Sequence, residues 1–244
     1  MNAIEQALNP PTSKPESFRT GVGIYSLGEA SRLVACSPQN LKRWMFGERR
    51  SKAGTRQGHL ISPLWDTQFR DSGRYVIGFH DLLEVRFVQG FIAKGVDLRV
   101  VRKCADVARE MFSSPYPFTS RRFLTDGRTI FHDAIEGSDS GLTDLSRRQR
   151  VFDSVIRPSL YDGIEFDADG AARRWYPVPQ SKTICLDPDL SFGKPILTES
   201  AIPTRAIFAA YLAEGKQRST VARIFDVSPT SVDSAVRFEQ QLAH

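Results

Sequence analysis

A chain of 244 residues, 41% apolar and 25% charged, is long enough for one large or two modest domains with buried cores, and its composition is that of an ordinary soluble protein. The net charge of +5 suits an acidic partner, and the stretch from Thr20 to Leu60 carries all of it, with Arg32, Lys42, Arg43, Arg49, Arg50, Lys52 and Arg56 against Glu29 and Glu48. Cys36, Cys104 and Cys185 lie far apart without a CxxC pair or a His/Cys cluster, so neither a disulfide framework nor a zinc site is expected, and no cofactor.

The first 17 residues hold three prolines among polar neighbours and read as a loose tail. MNAIEQALNPPTSKPESFRT lacks the apolar run of a signal peptide, and no stretch approaches the roughly 20 apolar residues of a membrane span. The expected setting is a reducing cytoplasm, with no membrane partner. A helical region is expected from Ser26 to about Phe112, interrupted by Pro115 and Pro117. Residues 118–180 look β-rich: FLTDGRTIF (123–131) and IEFDADGAARRWY (164–176) each place Asp-Gly between strand-like runs, a short-range hairpin signal. DLSRRQRVFDSVI (144–156) between them is ambiguous, and Pro158 ends it. From Thr183, DPDLSFGKPIL is a turn-rich lead-in to helical periodicity that runs to the C-terminus. The expected division is a tail over 1–17, a helical domain over 18–112, a β-hairpin subdomain over 113–180 and a second helical domain over 181–244. The fold class is mainly α with a small antiparallel β subdomain.

Within the basic window, Ser26 and Glu29 form an S-x-x-E capping box, which starts a helix, and Leu27, Ala30, Leu33 and Val34 fall on one face of it. After a short turn at Ala35-Cys36, Ser37 caps a second helix with Pro38 at its first position. Leu41, Trp44 and Met45 cluster on one side, Gln39, Lys42 and Arg43 on the other, and Asn40 on the flank. This is the residue set of a recognition helix: Gln and Asn pair with adenine edges, Arg with guanine and Lys with phosphate. A merely solvated polar face is the alternative. Arg49, Arg50, Lys52 and Arg56 then make a basic loop loosened by Gly54 and Gly58.

The continuation HLISPLWDTQFRDSGRYVIGFHDLLEVRFV, with its Y-x-x-x-F-x-D-L spacing from Tyr75, and the segment GVDLRVVRK (95–103) complete an order of helix pair, wing and two helices. From Tyr25 to Lys103 this order resembles the MerR-type winged helix-turn-helix. Arg43-Trp44 stand where that family has an arginine followed by an aromatic, and Gly95-Val96-Asp97-Leu98 matches its turn before a further helix. The stretch 47–75 is longer than usual, and no long dimerisation coiled coil follows. The resemblance implies double-stranded DNA as partner, contacted by Ser37, Gln39, Asn40, Lys42, Arg43, Arg49, Arg50, Lys52 and Arg56.

The segment from Cys185 to Leu242 resembles a small helical domain frequent in bacterial antitoxins. Asp187-Pro188, Gly193-Lys194-Pro195-Ile196 and Ile202-Pro203-Thr204 lead into a helix closed by Gly215, and Val221 to Phe225 precede Ser228 to Phe238. Read from its residues, this end is a second helix-turn-helix, with Ser219 capping one helix and Ser228, followed by Pro229, the next. SPTSVDSA (228–235) echoes SPQNLKRW (37–44). Val232, Ala235, Val236 and Leu242 form an apolar arc, while Thr230, Asp233, Ser234 and Arg237 face out. One cation offset by one carboxylate is a poor footprint for phosphates, so this unit reads as a packing or dimerisation module more readily than as a second DNA reader, although the same fold serves either use.

Taken together, the chain resembles a large VapB-like antitoxin. That resemblance implies autorepression of an operon as a homodimer and neutralisation of a cognate toxin of the PIN-ribonuclease type; the alternative is a stand-alone MerR-like regulator. No enzyme is expected. His80-Asp81 and His132-Asp133 read as a helix start and a strand end rather than acid/base dyads. Gly21-Val22-Gly23 is a turn, not a dinucleotide loop. Asp187 and Asp189 shape a turn more readily than they hold a metal. Arg147-Arg148-x-Arg150 is a charge run, solvated or facing an acidic partner. Phe112, Tyr116 and Phe118 edge a core or line a peptide groove.

Overall fold

The computed structural model describes residues 22–51, 58–69, 73–136 and 160–243. Among them the fold is mainly helical with small two-stranded antiparallel sheets. Strand β1 (Tyr25–Ser26) leads into helix α1 (Leu27–Leu33), a turn, and α2 (Pro38–Phe46). β2 (Glu48–Ser51) and β3 (Gly58–Ile61) form a hairpin, and β4 (Val76–Ile77) returns to pair with β1. Then follow α3 (Phe79–Ala93), α4 (Leu98–Phe112) and α5 (Arg121–Glu136). β5 (Ile164–Phe166) and β6 (Ala172–Trp175) make a hairpin, as do β7 (Ile184–Cys185) and β8 (Ile196–Leu197). Helices α6 (Thr204–Ala213), α7 (Arg218–Phe225) and α8 (Pro229–Leu242) close the chain. No helix of the described residues is long and apolar enough to cross a membrane.

Local chemistry explains most boundaries. The Ser26 side chain accepts from the Glu29 amide and the Glu29 carboxylate answers at the Ser26 amide, a complete capping box for α1. At the start of α3 the Asp81 carboxylate accepts from the Gly78 amide, half of such a box because the glycine has no side chain to answer, and Asp97 accepts from the Arg99 amide at the start of α4. Expectation and structure part at 123–131, which belongs to α5 and is no hairpin. Phe123, Gly127, Ile130, Phe131 and Ala134 are buried at helical spacing, so the period of 3.6 overrides the Asp126-Gly127 signal. Gly127 is there for space: a Cβ would meet the Phe123 ring at 2.7 Å. His132 accordingly lies in a helix and not at a strand end. Only the second Asp-Gly segment is a hairpin, β5–β6. The stretch 144–156, with Arg147, Arg148 and Arg150, lies outside the described residues. In the last helix pair Gln217 precedes α7 without a side-chain cap, and Ser219 lies inside the helix instead of capping it.

Two large apolar clusters, beside a small one of Tyr176, Cys185 and Ile196, hold these elements. The larger runs from Tyr25 to Leu186 and joins α1–α5 with the β5–β6 hairpin around Phe87, Phe91, Phe118, Phe123 and Phe131. The smaller joins β7 and β8 to α6–α8 through Ile184, Leu197, Ile207, Val221, Val232 and Phe238. Leu33 of α1 packs against both.

Candidate nucleic-acid interface

Helix α2 is organised as its sequence requires. Ser37 Oγ accepts from the Asn40 amide at 3.2 Å, Pro38 occupies the first turn, and Gly47 ends the helix at φ 77°. A side chain at Gly47 would be strained at this φ, and its Cβ would lie 2.5 Å from the Ile61 carbonyl oxygen. Leu41, Trp44 and Met45 are buried, as their spacing predicts. Ser37, Gln39 and Lys42 are exposed, and Asn40 and Arg43 are half-buried.

Arg43 does not project freely. Its Nη2 donates to Asn40 Oδ1 at 3.0 Å, and its buried Nε has no hydrogen-bond partner among the described residues. The guanidinium also lies close enough to Cys36 to oppose the burial that pushes that thiol up to about 11. An orphaned, buried guanidinium N–H is a costly arrangement. Asn40 Oδ1 thus holds one end of the Arg43 guanidinium against the flank of α2.

Arg49 and Arg50 lie in β2, where the backbone alone is described, opposite Leu60 and His59. Lys52 and Arg56 lie outside the described residues. The two-stranded hairpin therefore follows α2 directly, after a single glycine. The segment that follows its return strand, 62–64, is fastened to α4 and α2. Arg102 of α4 donates to the carbonyl oxygens of Pro63 and Ser62 at 2.7 and 2.8 Å, Arg109 donates to that of Leu64 at 3.1 Å, and the Leu64 amide donates to the Trp44 carbonyl at 2.7 Å.

Sequence reasoning missed these two arginines, because nothing local marks a side chain whose partner is a carbonyl about 40 residues upstream. Tyr75, named there only as the start of a motif, is 55% exposed and stands beside α2. The Lys42 ammonium lies 4.3 Å from the centre of the Tyr75 ring, and Phe46 meets that ring edge-on at 5.1 Å.

The C-terminal helix pair repeats the local design. Ala35 and Asp226 both take left-handed backbone two residues before a capping serine, Ser37 or Ser228, which is followed by proline. On α8, Thr230 and Arg237 are exposed, while Asp233 is taken up by Arg218 at 2.9 Å. The segment between β7 and β8 reaches back to α1. Tyr25 Oη donates to the Gly193 carbonyl at 2.5 Å, and Lys194 Nζ donates to the Ile24 carbonyl and the Glu29 carboxylate at 3.0 and 2.7 Å.

Asp81 and Asp187, also candidates, have structural employment. Asp81 accepts from Trp65 Nε1, Thr67 Oγ1 and the Gly78 amide. Asp187 is buried, paired with Arg174 at 2.6 Å, and accepts from the Asp189 amide, so it shapes a turn.

No family model matches the chain. Over 230 residues it is 24% identical to a Mycobacterium tuberculosis protein named as a candidate antitoxin, VapB45, across 90% of this chain and 95% of that one. The crystal structure of Rv2018 from Mycobacterium tuberculosis superposes with a TM-score of 0.65 at 20% identity, covering 89% of this chain and 99% of the other. That second likeness is one of fold.

Proposed function

We propose that this chain is a DNA-binding antitoxin of a type II toxin–antitoxin system. In this reading a homodimer represses its own operon through a MerR-like winged helix-turn-helix and neutralises a partner toxin, of the PIN-ribonuclease class, without being an enzyme. The observation that carries the DNA-binding half is α2 itself: its apolar face is spent on the core, its other face offers Gln39, Lys42 and the half-buried Arg43, and a hairpin carrying Arg49 and Arg50 follows at once. These are the parts that enter a major groove and hold its flanking phosphates. The antitoxin half is supported by similarity to VapB45 over nearly the full length of both chains.

A salt titration tests it, comparing binding to the gene's own upstream DNA with binding to an unrelated duplex. The expected result is tight binding to the upstream DNA alone, falling steeply with salt. Arg43→Ala should cost about 1–3 kcal/mol of that specific binding, and Lys52→Ala should lower affinity for both duplexes and reduce the salt slope by about one. Equal, weak binding to both duplexes, or an Arg43→Ala variant that binds the operator unchanged, would remove α2 from the groove. Co-purification with the product of an adjacent small gene tests the toxin partner; a specific DNA binder with no such partner would be a stand-alone regulator.

A further inference from the structure

Between the end of α4, the start of α5 and the β5–β6 turn lies a cavity of about 340 Å³, within the size range of small-molecule sites. Part of its lining is aromatic. His80 stacks on Tyr116 with ring centres 5.1 Å apart, and Phe112 lies under the Arg122 guanidinium, 4.6 Å from the ring centre. The rest is polar, and three of its side chains are uncommitted: His80, Arg122 and Asp169 have no side-chain hydrogen bond or ion pair among the described residues.

That lack of pairing is the informative feature. The Arg121 amide donates to the Gly170 carbonyl at 2.9 Å, which fixes the first turn of α5 against the β5–β6 turn. Arg122 and Asp169 therefore come from adjoining segments and line one cavity, yet they do not join. Elsewhere in the same hairpin the fold does pair its charges, Arg174 with Asp187 at 2.6 Å. A simple anion on Arg122 would be opposed by Asp169, and a simple cation on Asp169 by Arg122. A molecule carrying both charges satisfies both, and apolar walls accept the remainder of it.

We propose that this cavity binds a small zwitterion of the free amino acid kind, its carboxylate on Arg122, its ammonium on Asp169 and its side chain against Phe112 and Tyr116. His80 faces the same space. Its burial favours the neutral imidazole against the pull of Asp167, and a neutral ring has one donor and one acceptor to give the ligand.

The test follows the His80 imidazole resonance of the full-length chain by NMR while glycine, L-leucine and L-phenylalanine are titrated in turn. Saturable shifts with at least one of the three are expected. Arg122→Gln and Asp169→Asn should each weaken that binding about tenfold or more, since each removes a charge-assisted contact. The amide and the N-acetyl derivative of the bound amino acid, each lacking one charge, should weaken comparably. Arg122 and Asp169 are exposed side chains, so both variants should fold, which their circular dichroism would verify. No saturable shift with any of the three overturns the proposal. So does binding that survives in both variants, or a blocked derivative or N-acetylated peptide that binds as tightly as the free amino acid.

Discussion

Glu84 is 1% exposed in the middle of α3, and its carboxylate accepts from the Phe118 amide at 3.3 Å, the Thr119 amide at 2.8 Å and Thr119 Oγ1 at 2.9 Å. One side chain thus anchors the linker between α4 and α5 and supplies the partners that buried amides require. Burial nevertheless wins over the three donors and pushes its pKa from 4.5 up to about 8. The folded state therefore keeps a proton that the unfolded chain gives up between about 4.5 and 8. Stability from this group is full below that window and is lost as pH rises through it. Asp81, raised for the same reason, acts in the same sense. Glu84→Gln removes the titration while keeping the shape, so the wild type's advantage over the variant should shrink steadily from pH 5 to pH 8. Urea unfolding followed by tryptophan fluorescence at several pH values measures that difference. A difference that stays constant, or grows with pH, would mean that Glu84 is ionised in the folded protein.

At the scale of elements, the loop between β7 and β8 is held in a costly shape by its grip on α1. Ser191, Phe192 and Gly193 take left-handed backbone in succession, at φ 48°, 55° and 76°, and each non-glycine residue so placed costs on the order of 1–3 kcal/mol. The Ile24 amide donates to the Phe192 carbonyl at 3.0 Å, Tyr25 Oη grips Gly193, and Lys194 reaches Glu29, the residue that also caps α1. Tyr25→Phe leaves the Gly193 carbonyl without that donor and should cost about 1–3 kcal/mol. Hydrogen exchange should then show α1 and residues 190–194 losing protection together; loss confined to either one would show that the grip does not couple them. None of this was legible in the sequence, since the partners stand 165 to 170 residues apart. What was legible is what is decided within one turn: the Ser26-Glu29 box, the Ser37-Pro38 and Ser228-Pro229 starts, and the buried face of Leu41, Trp44 and Met45. The Asp126-Gly127 pair misled because a turn signal carries no knowledge of the ring that lies over the glycine.

At the scale of the molecule, the two clusters do not divide the chain where its composition changes. Leu186 is fully buried in the larger cluster, and its backbone exchanges hydrogen bonds with Trp175 at 3.0 and 2.7 Å. Asp187, one residue on, neutralises Arg174, and Lys194 holds the start of α1. The lead-in to the last three helices thus belongs physically to the first core. The candidate DNA-contacting residues could be named from one contiguous basic window, but the cavity at His80 could not, because four separated stretches assemble its walls. Truncation tests follow from this arrangement. Deleting 183–244 removes Leu186, the Asp187 carboxylate and the Lys194 contact at once, and strands Arg174 in a half-buried position beside a broken hairpin. Each loss is of the kind that costs several kcal/mol, and their sum is comparable to the whole stability of a domain. Deleting 204–244 removes α6–α8 but keeps all three contacts. The shorter deletion should still melt cooperatively by near-ultraviolet circular dichroism and retain the proposed DNA binding, whereas the longer one should lose both. A cooperative transition at the wild-type midpoint after removal of 183–244 would show that the larger core closes without its last strand. If the shorter deletion binds DNA but no longer co-purifies with the proposed toxin partner that the full chain retains, α6–α8 hold that contact. If co-purification persists, the contact lies in the N-terminal 203 residues.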